Sequence, residues 1–342
     1  MGNVTIKMVA ERAGVSTATV SRVINKNPTV RPETVEAVER AIREINFVPN
    51  LVARSLKSAQ SKSIGFLVSD IANDYFMCMA KAVEEVVSNF GYDIIICSTD
   101  ESKVKEYNYL QRFVSNQVDG IILNTTNLND DYIAELSQRI PLVLIERNIQ
   151  NPNFCGDYIG TNNRVGMDEL TTAFLSRGHR KIGIINSNLS VDTGMNRLKG
   201  FSDAMRRFGV EVDAEYPYRY DAKLFNFNGG FTGAQHLLEQ DDRPTAILTA
   251  NNTLALGALS YIKENHFRIP EDISFGFFGN IANSELLFVN LCHLMINPAT
   301  IGEKAARDVL SRIDSPSIRS RETILECRLV TGESIRPIGS AG

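Results

Sequence analysis

TIKMVAERAGVSTATVSRVIN, residues 5–25, carries two short helical repeats separated by a glycine. Ile6, Val9, Ala10 and Ala13 recur at i, i+3, i+4 and i+7, which places them on one face of a helix. Thr5 precedes that face as a candidate N-cap, and Ser16 stands in the same relation to a second helix. Gly14 lies between the two, where a tight turn favours a residue without a Cβ. Val20, Val23 and Ile24 give the second helix a short apolar stripe that can close onto the first. The pattern is that of a helix-turn-helix, or of an ordinary corner between two helices. The face left over on the second helix separates these two readings. Ser16, Thr17, Ala18, Ser21, Arg22 and Asn25 are short polar or methyl-bearing groups with one arginine, a set that suits base edges, because Arg can pair bidentately with guanine.

A third helix is expected over 32–45, with Pro32 in its first turn and Val35, Val38, Ile42 and Ile45 facing inward. It is followed by FVPNLVARSLKS, residues 47–58. With that segment, residues 4–58 resemble the DNA-binding headpiece of the lactose-repressor (LacI/GalR) family of bacterial regulators, and the resemblance continues through nearly all of the chain. It implies that Thr5, Ser16, Thr17, Ala18, Ser21, Arg22, Asn25, Asn50, Ala53 and Leu56 contact operator DNA. It also implies a homodimer reading a pseudo-palindrome.

Length and charge agree with this division. At 342 residues the chain exceeds one typical domain. We expect a headpiece over 1–49, a hinge and linker over 50–62, and a larger body over 63–342. With 43% hydrophobic and 22% charged residues, the composition is that of a soluble globular protein. The net charge of −4 is unevenly spread: residues 1–62 hold ten Lys/Arg and five Asp/Glu, a net of +5, which leaves −9 for the rest. A basic headpiece is attracted to phosphate, while an acidic body avoids non-specific adhesion. Cys78, Cys97, Cys155, Cys292 and Cys327 are scattered and lack metal-ligand spacing, so reduced thiols in the cytoplasm are expected. We find no signal peptide and no apolar run near the length of a membrane span.

Pro49 ends what precedes it, and Asn50 can cap a helix over 51–58. Two turns fall well short of the ~12–15 residues that hold a helix alone in water, so this helix needs a partner. The resemblance supplies one: the segment folds against its dimer mate in the minor groove, where Leu56 wedges into the central base step. An exposed Leu between Ser55 and Lys57 suits such an insertion; the alternative is a plain linker.

From Ser63 onward, short apolar runs (IGFLV, DIIIC, GIIL, PLVLI, KIGII, AILTA, ISFGFF) alternate with amphipathic stretches near 75–89, 103–117, 130–139, 164–177, 194–208, 230–240, 253–265 and 300–312. That alternation implies right-handed βαβ units: an α/β body of two Rossmann-like lobes with parallel sheets covered on both faces. The resemblance implies that the chain recrosses between lobes, as in periplasmic sugar-binding proteins. The first lobe would be 63–162 with 292–322, and the second 163–291 with 323–342. A ligand of such lobes sits at the C-terminal ends of the strands.

No G-x-S-x-G, G-x-G-x-x-G, Walker A, H-E-x-x-H or C-x-x-C occurs, and the four His are isolated. An enzyme is therefore not expected, and neither a cofactor nor a metal is implied. The resemblance instead places a small-molecule effector (a sugar, sugar acid or sugar phosphate) among Asn73, Tyr75, Phe76, Asn124, Glu146, Arg147, Arg197, Phe225, Asn251 and Asn280. The chain departs from the family in having Asn252, Gly279 and Gly332 where Asp, Asp and Arg are common, and Glu146 where Asp is more usual. On that reading Arg147 and Arg197 face few carboxylates, which suits a planar anion. A neutral sugar held by Asn280 and Asn251 is the alternative. A solute-binding module whose headpiece does not act on DNA is the rival to the regulator.

Overall fold

The computed structural model describes residues 4–24, 27–47, 61–287 and 289–339. The chain divides into two compact units, Met1–Ser61 and Lys62–Gly342.

In the first unit, helices α1 (Ile6–Ala13), α2 (Thr17–Ile24) and α3 (Pro32–Glu44) enclose a small core. Val9, Ala10, Val20, Val23, Val38, Ala41 and Phe47 are buried, with Ile6, Ala13, Ile24, Val35, Ile42 and Ile45 packed around them. Gly14 ends α1 at φ 67°, in the left-handed region where a Cβ is costly. Ser16 caps α2, its Oγ accepting the Thr19 N–H at 3.1 Å. Thr5 occupies the N-cap position of α1 in extended backbone but makes no side-chain cap. Its carbonyl alone accepts the Met8 and Val9 N–H groups, so the expected side-chain cap is absent. The Arg12 guanidinium donates to Glu44 at 2.6 Å and ties α1 to the end of α3.

The second unit holds two six-stranded sheets. The elements in chain order are β1 (Ser63–Val68), α4 (Asp74–Val87), β2 (Asp93–Ser98), α5 (Lys103–Ser115), β3 (Gly120–Leu123), α6 (Asp130–Ser137), β4 (Leu142–Ile145) and β5 (Asp157–Thr161), then α7 (Asn163–Leu175) and β6 (Ile182–Asn186). They continue with α8 (Asp192–Arg207), β7 (Arg219–Asp221), α9 (Phe227–Leu238), β8 (Ala246–Thr249), α10 (Asn252–Glu264), β9 (Ser274–Phe278), β10 (Cys292–Met295), α11 (Pro298–Asp314), β11 (Glu322–Leu325) and β12 (Arg328–Val330). The first sheet has the order β11-β5-β4-β3-β1-β2 and the second β12-β10-β9-β8-β6-β7. Every pairing is parallel except β10 with β12. Central strands such as β3, β4, β8 and β9 are buried along their whole length, as expected of sheets covered by helices on both faces.

The lobes exchange chain three times. β10 belongs to the second sheet, so the second crossing lies between Met295 and Pro298 and not at 292. β11 belongs to the first sheet, so the last crossing follows Leu325 and not residue 322. Backbone pairing sets both limits: Cys292 lies opposite Gly276 of β9, and Leu325 lies opposite Thr161 of β5.

Asp157 fastens the first lobe from within. Its carboxylate is fully buried and accepts from Arg312 at 2.6 Å and from Arg321 at 2.7 Å, joining β5, α11 and the start of β11. Burial pushes the Asp157 carboxyl up, but hydrogen bonds from the two arginines more than offset this and hold it below the usual carboxylate range. A carboxyl depressed in the folded state stabilises above its unfolded value of about 4 and loses that contribution as pH falls through the lower folded value. Arg312→Ala should therefore cost about 3–5 kcal/mol in urea unfolding at neutral pH, and the loss should shrink as pH is lowered towards the folded Asp157 value. An equal loss at all pH values would contradict the coupling.

Candidate functional site

The site residues expected from sequence fall on two surfaces among the described residues. On α2, Thr17, Ala18, Ser21 and Arg22 share the side opposite the buried Val20 and Val23; Thr17, Ala18 and Arg22 are exposed and Ser21 is half-buried. Ser16 is exposed, but its hydroxyl is engaged with Thr19. Thr5 is exposed at the start of α1. Asn25, Asn50, Ala53 and Leu56 lie outside the described residues.

The second surface is a cleft of about 260 Å³ between the lobes. Residues that follow strand C-termini line it: Asp70 after β1, Glu101 after β2, Asn124 after β3, Glu146 and Arg147 after β4, Asn251 after β8 and Gly279 after β9. This is the end at which open parallel sheets bind ligands. Asn73 caps α4 through the Tyr75 N–H, and Asn251 caps α10 through the Leu254 N–H, so helix starts fix both side chains at the cleft.

Tyr75 donates its phenolic hydrogen to Glu146 Oε1 at 2.7 Å, and Thr161 donates to Oε2 at 3.3 Å. Burial raises the Glu146 pKa, while the Arg197 charge and these hydrogen bonds pull it partly back. Burial likewise raises Tyr75 and lowers Arg197. Arg197 is anchored by donation to Asn163 Oδ1 at 2.7 Å and to the Ala250 carbonyl at 2.6 Å. Its guanidinium lies 4.0 Å from the Phe278 ring centre, close enough for a cation–π contact. Arg147 is clasped by Glu101 through two bonds of 2.8 and 2.7 Å, and it also donates to the Thr125 carbonyl. Phe225 lies 5.8 Å from the Arg147 guanidinium. Asn124 is 1% exposed; it donates Nδ2 to the Ile145 carbonyl, and its Oδ1 has no partner among the described residues.

Three hydrogen bonds join the lobes directly across the cleft. Asn252 Nδ2 donates to Asn73 Oδ1 at 2.9 Å, Asn73 Nδ2 to Thr253 Oγ1 at 3.3 Å, and the Asn148 N–H to Asp192 Oδ2 at 3.1 Å.

Nine of the ten effector positions expected from sequence line this cleft: Asn73, Tyr75, Phe76, Asn124, Glu146, Arg147, Arg197, Phe225 and Asn251. Asn280 does not. Both ends of its amide pair with Ile296, donating to the carbonyl at 2.7 Å and accepting from the N–H at 3.0 Å. The expectation that two arginines face few carboxylates is also overturned. Asp70, Asp100, Glu101 and Glu146 line the same cleft, and Glu101 neutralises Arg147 directly. Glu101 and Phe278 were missed because neither belongs to a motif; their roles depend on which strand ends converge. Gly279 has φ 100°, a conformation that residues with a side chain rarely adopt. Among the described residues, no group of three or more His, Cys, Asp or Glu could hold a metal ion. No described helix is long and apolar enough to cross a membrane.

Residues 61–331 match the model for periplasmic binding proteins and the sugar-binding domain of the LacI family, and residues 5–50 match that for bacterial regulatory proteins of the lacI family. The chain is 35% identical to the ribose operon repressor of Haemophilus influenzae, over 97% of this chain and 98% of that protein. It is 34% identical to the HTH-type transcriptional repressor PurR of Mannheimia succiniciproducens, over 98% and 99%. Its fold matches the crystal structure of the Lac repressor bound to ONPG in the repressed state, with a TM-score of 0.82, 24% identity and coverage of 97% and 100%.

The Tyr75–Glu146 pair gives a direct test of the cleft's electrostatics. Tyr75→Phe removes the shorter of the two hydrogen bonds to Glu146 and should cost about 1–3 kcal/mol in denaturant unfolding at pH 7.5. Because burial already raises the Glu146 pKa, protonation relieves the unpaired carboxylate, so the cost should shrink as pH is lowered through that raised value. A cost that stays constant across the acid range would show that the pair carries no charge penalty.

Proposed function

Since the chain belongs to the lacI family of bacterial regulatory proteins, we propose that it represses a sugar-utilisation operon as a homodimer in the cytoplasm, released or tightened by a neutral polyhydroxylated effector. A DNA-binding headpiece joined to a ligand-binding body, with no enzymatic activity, is the family's common plan. The α2 face carries the DNA half of this reading. Thr17, Ala18 and Arg22 stand exposed together, opposite a core that holds the helix in place. In the major groove Arg22 would address a guanine and Ala18 a thymine methyl group, while the basic headpiece surface engages phosphates. Two headpieces on a pseudo-palindrome, with hinge segments over 51–58 meeting in the minor groove and Leu56 wedging there, would bend the operator centre.

The pairing of arginine with carboxylate in the cleft is the observation that carries the effector half. Glu101 engages Arg147 directly and Glu146 lies within the field of Arg197, so an anion meets carboxylates beside both guanidinium groups, whereas a hydroxyl can donate to the one and accept from the other. The cleft's size agrees: about 260 Å³ lies just below the range for drug-sized ligands and suits a monosaccharide. Closely placed guanidinium and carboxylate groups suit hydroxyls, which both donate and accept. The ribose operon repressor among the relatives favours a sugar.

Fluorescence anisotropy with promoter DNA from the protein's own neighbourhood tests the reading. Specific binding should weaken linearly in log Kd against log salt. Arg22→Ala should weaken it about ten- to a hundredfold, with ligand affinity of the body unchanged. Absence of any preference over random duplex at moderate ionic strength would overturn the repressor reading.

A further inference from the structure

We propose that Glu101 is a specificity residue that excludes anionic ligands from the cleft by neutralising Arg147. The inference rests on the cleft being the effector site. Arg147 and Glu101 side chains are 6% and 15% exposed, so solvent and salt do little to screen either charge. The two groups meet as a bidentate pair, with Nη1 to Oε2 at 2.8 Å and Nη2 to Oε1 at 2.7 Å. With the bond to the Thr125 carbonyl, three of the five guanidinium N–H donors are engaged. What Arg147 presents to a ligand is hydrogen-bond donation without net charge. A hydroxyl can accept from it, but an incoming carboxylate or phosphate must compete with Glu101 and lie close to its charge.

The backbone holds Glu101 there at some cost. Asp100 and Glu101 are consecutive non-glycine residues with φ 49° and 58°, a conformation few such residues adopt. The turn is anchored on both sides. Ser98 Oγ donates to Asp100 Oδ1 at 2.6 Å, Lys105 donates to the other oxygen, and Ser102 caps α5. The Thr99 N–H donates to the Val68 carbonyl at 2.8 Å and so binds the turn to β1. Glu101 therefore reaches Arg147 from a fixed position, and that position faces the cleft.

Calorimetric titration of the full-length wild type, Glu101→Gln and Glu101→Asn tests this. Asparagine tolerates the left-handed backbone and is too short to clasp Arg147, so it guards against a failure of the glutamine variant to fold. The probes are D-glucose and D-glucuronate, D-galactose and D-galacturonate, D-ribose and D-ribose 5-phosphate, and inorganic phosphate. Wild type should bind every anion more weakly than the matching neutral sugar. At least one variant should gain about ten- to a hundredfold affinity for an anion, the range of a charged hydrogen bond, and this gain should decline with salt. Anion binding by wild type equal to that of the variants, or no gain in either folded variant, would overturn the role of Glu101. If the variants gain phosphate while no form binds a neutral sugar, Glu101 keeps its role and the neutral-effector reading falls.

Discussion

Three short chain crossings between the lobes are the constraint from which the rest follows. They lie at residue 162, at 296–297 and at 326–327. These connections of one or two residues each bind the two sheets to one another. Because nearly every strand pairing is parallel, the loops that follow β1, β3 and β4 of one sheet meet those that follow β8 and β9 of the other. A ligand that touches both sets binds one inter-lobe angle better than another, and that difference is all it can use to shift the equilibrium. The direct links from Asn73 to Asn252 and Thr253, and from Asn148 to Asp192, bridge the lobes in the same geometry.

Inside the cleft, charge is held in local pairs. Arg147 is answered by Glu101, Arg197 acts on Glu146, and Asp100, at the cleft's edge, is answered by Lys105. Removing either member of a buried pair leaves the other desolvated and uncompensated. Pairing therefore serves stability and selectivity at once. The cleft offers many donors and acceptors with little net field, which fits a polyhydroxylated neutral molecule better than an anion.

Much of this was legible in the sequence, for physical reasons that also mark where reading stopped. Helical periodicity located all three headpiece helices, because their cores depend on residues close in sequence such as Val9, Ala10 and Val20. The strongly apolar strands were equally visible, since β3, β4 and β8 are buried on both faces. Strands β5, β7, β10, β11 and β12 were not: DYIGT and CHLM mix polar residues into short runs, and the half-exposed three- or four-residue edge strands carry little hydrophobic signal. The same gap moved both late lobe boundaries, which only pairing partners such as Gly276 and Thr161 reveal. In the cleft, the residues drawn from the family resemblance converged with the exception of Asn280, which is spent on the Ile296 peptide. Charge balance was misread because Glu101 lies 46 residues from Arg147 and in no motif.

The central claim is that occupancy of the cleft and grip on DNA are linked, and linkage is reciprocal. The most direct measurement is a matched pair of titrations: operator affinity with and without saturating neutral sugar, and sugar affinity with and without saturating operator. The account predicts that both affinities change by the same factor, about 5- to 150-fold for typical allosteric coupling. A sugar that binds the cleft tightly yet leaves operator affinity unchanged would contradict it.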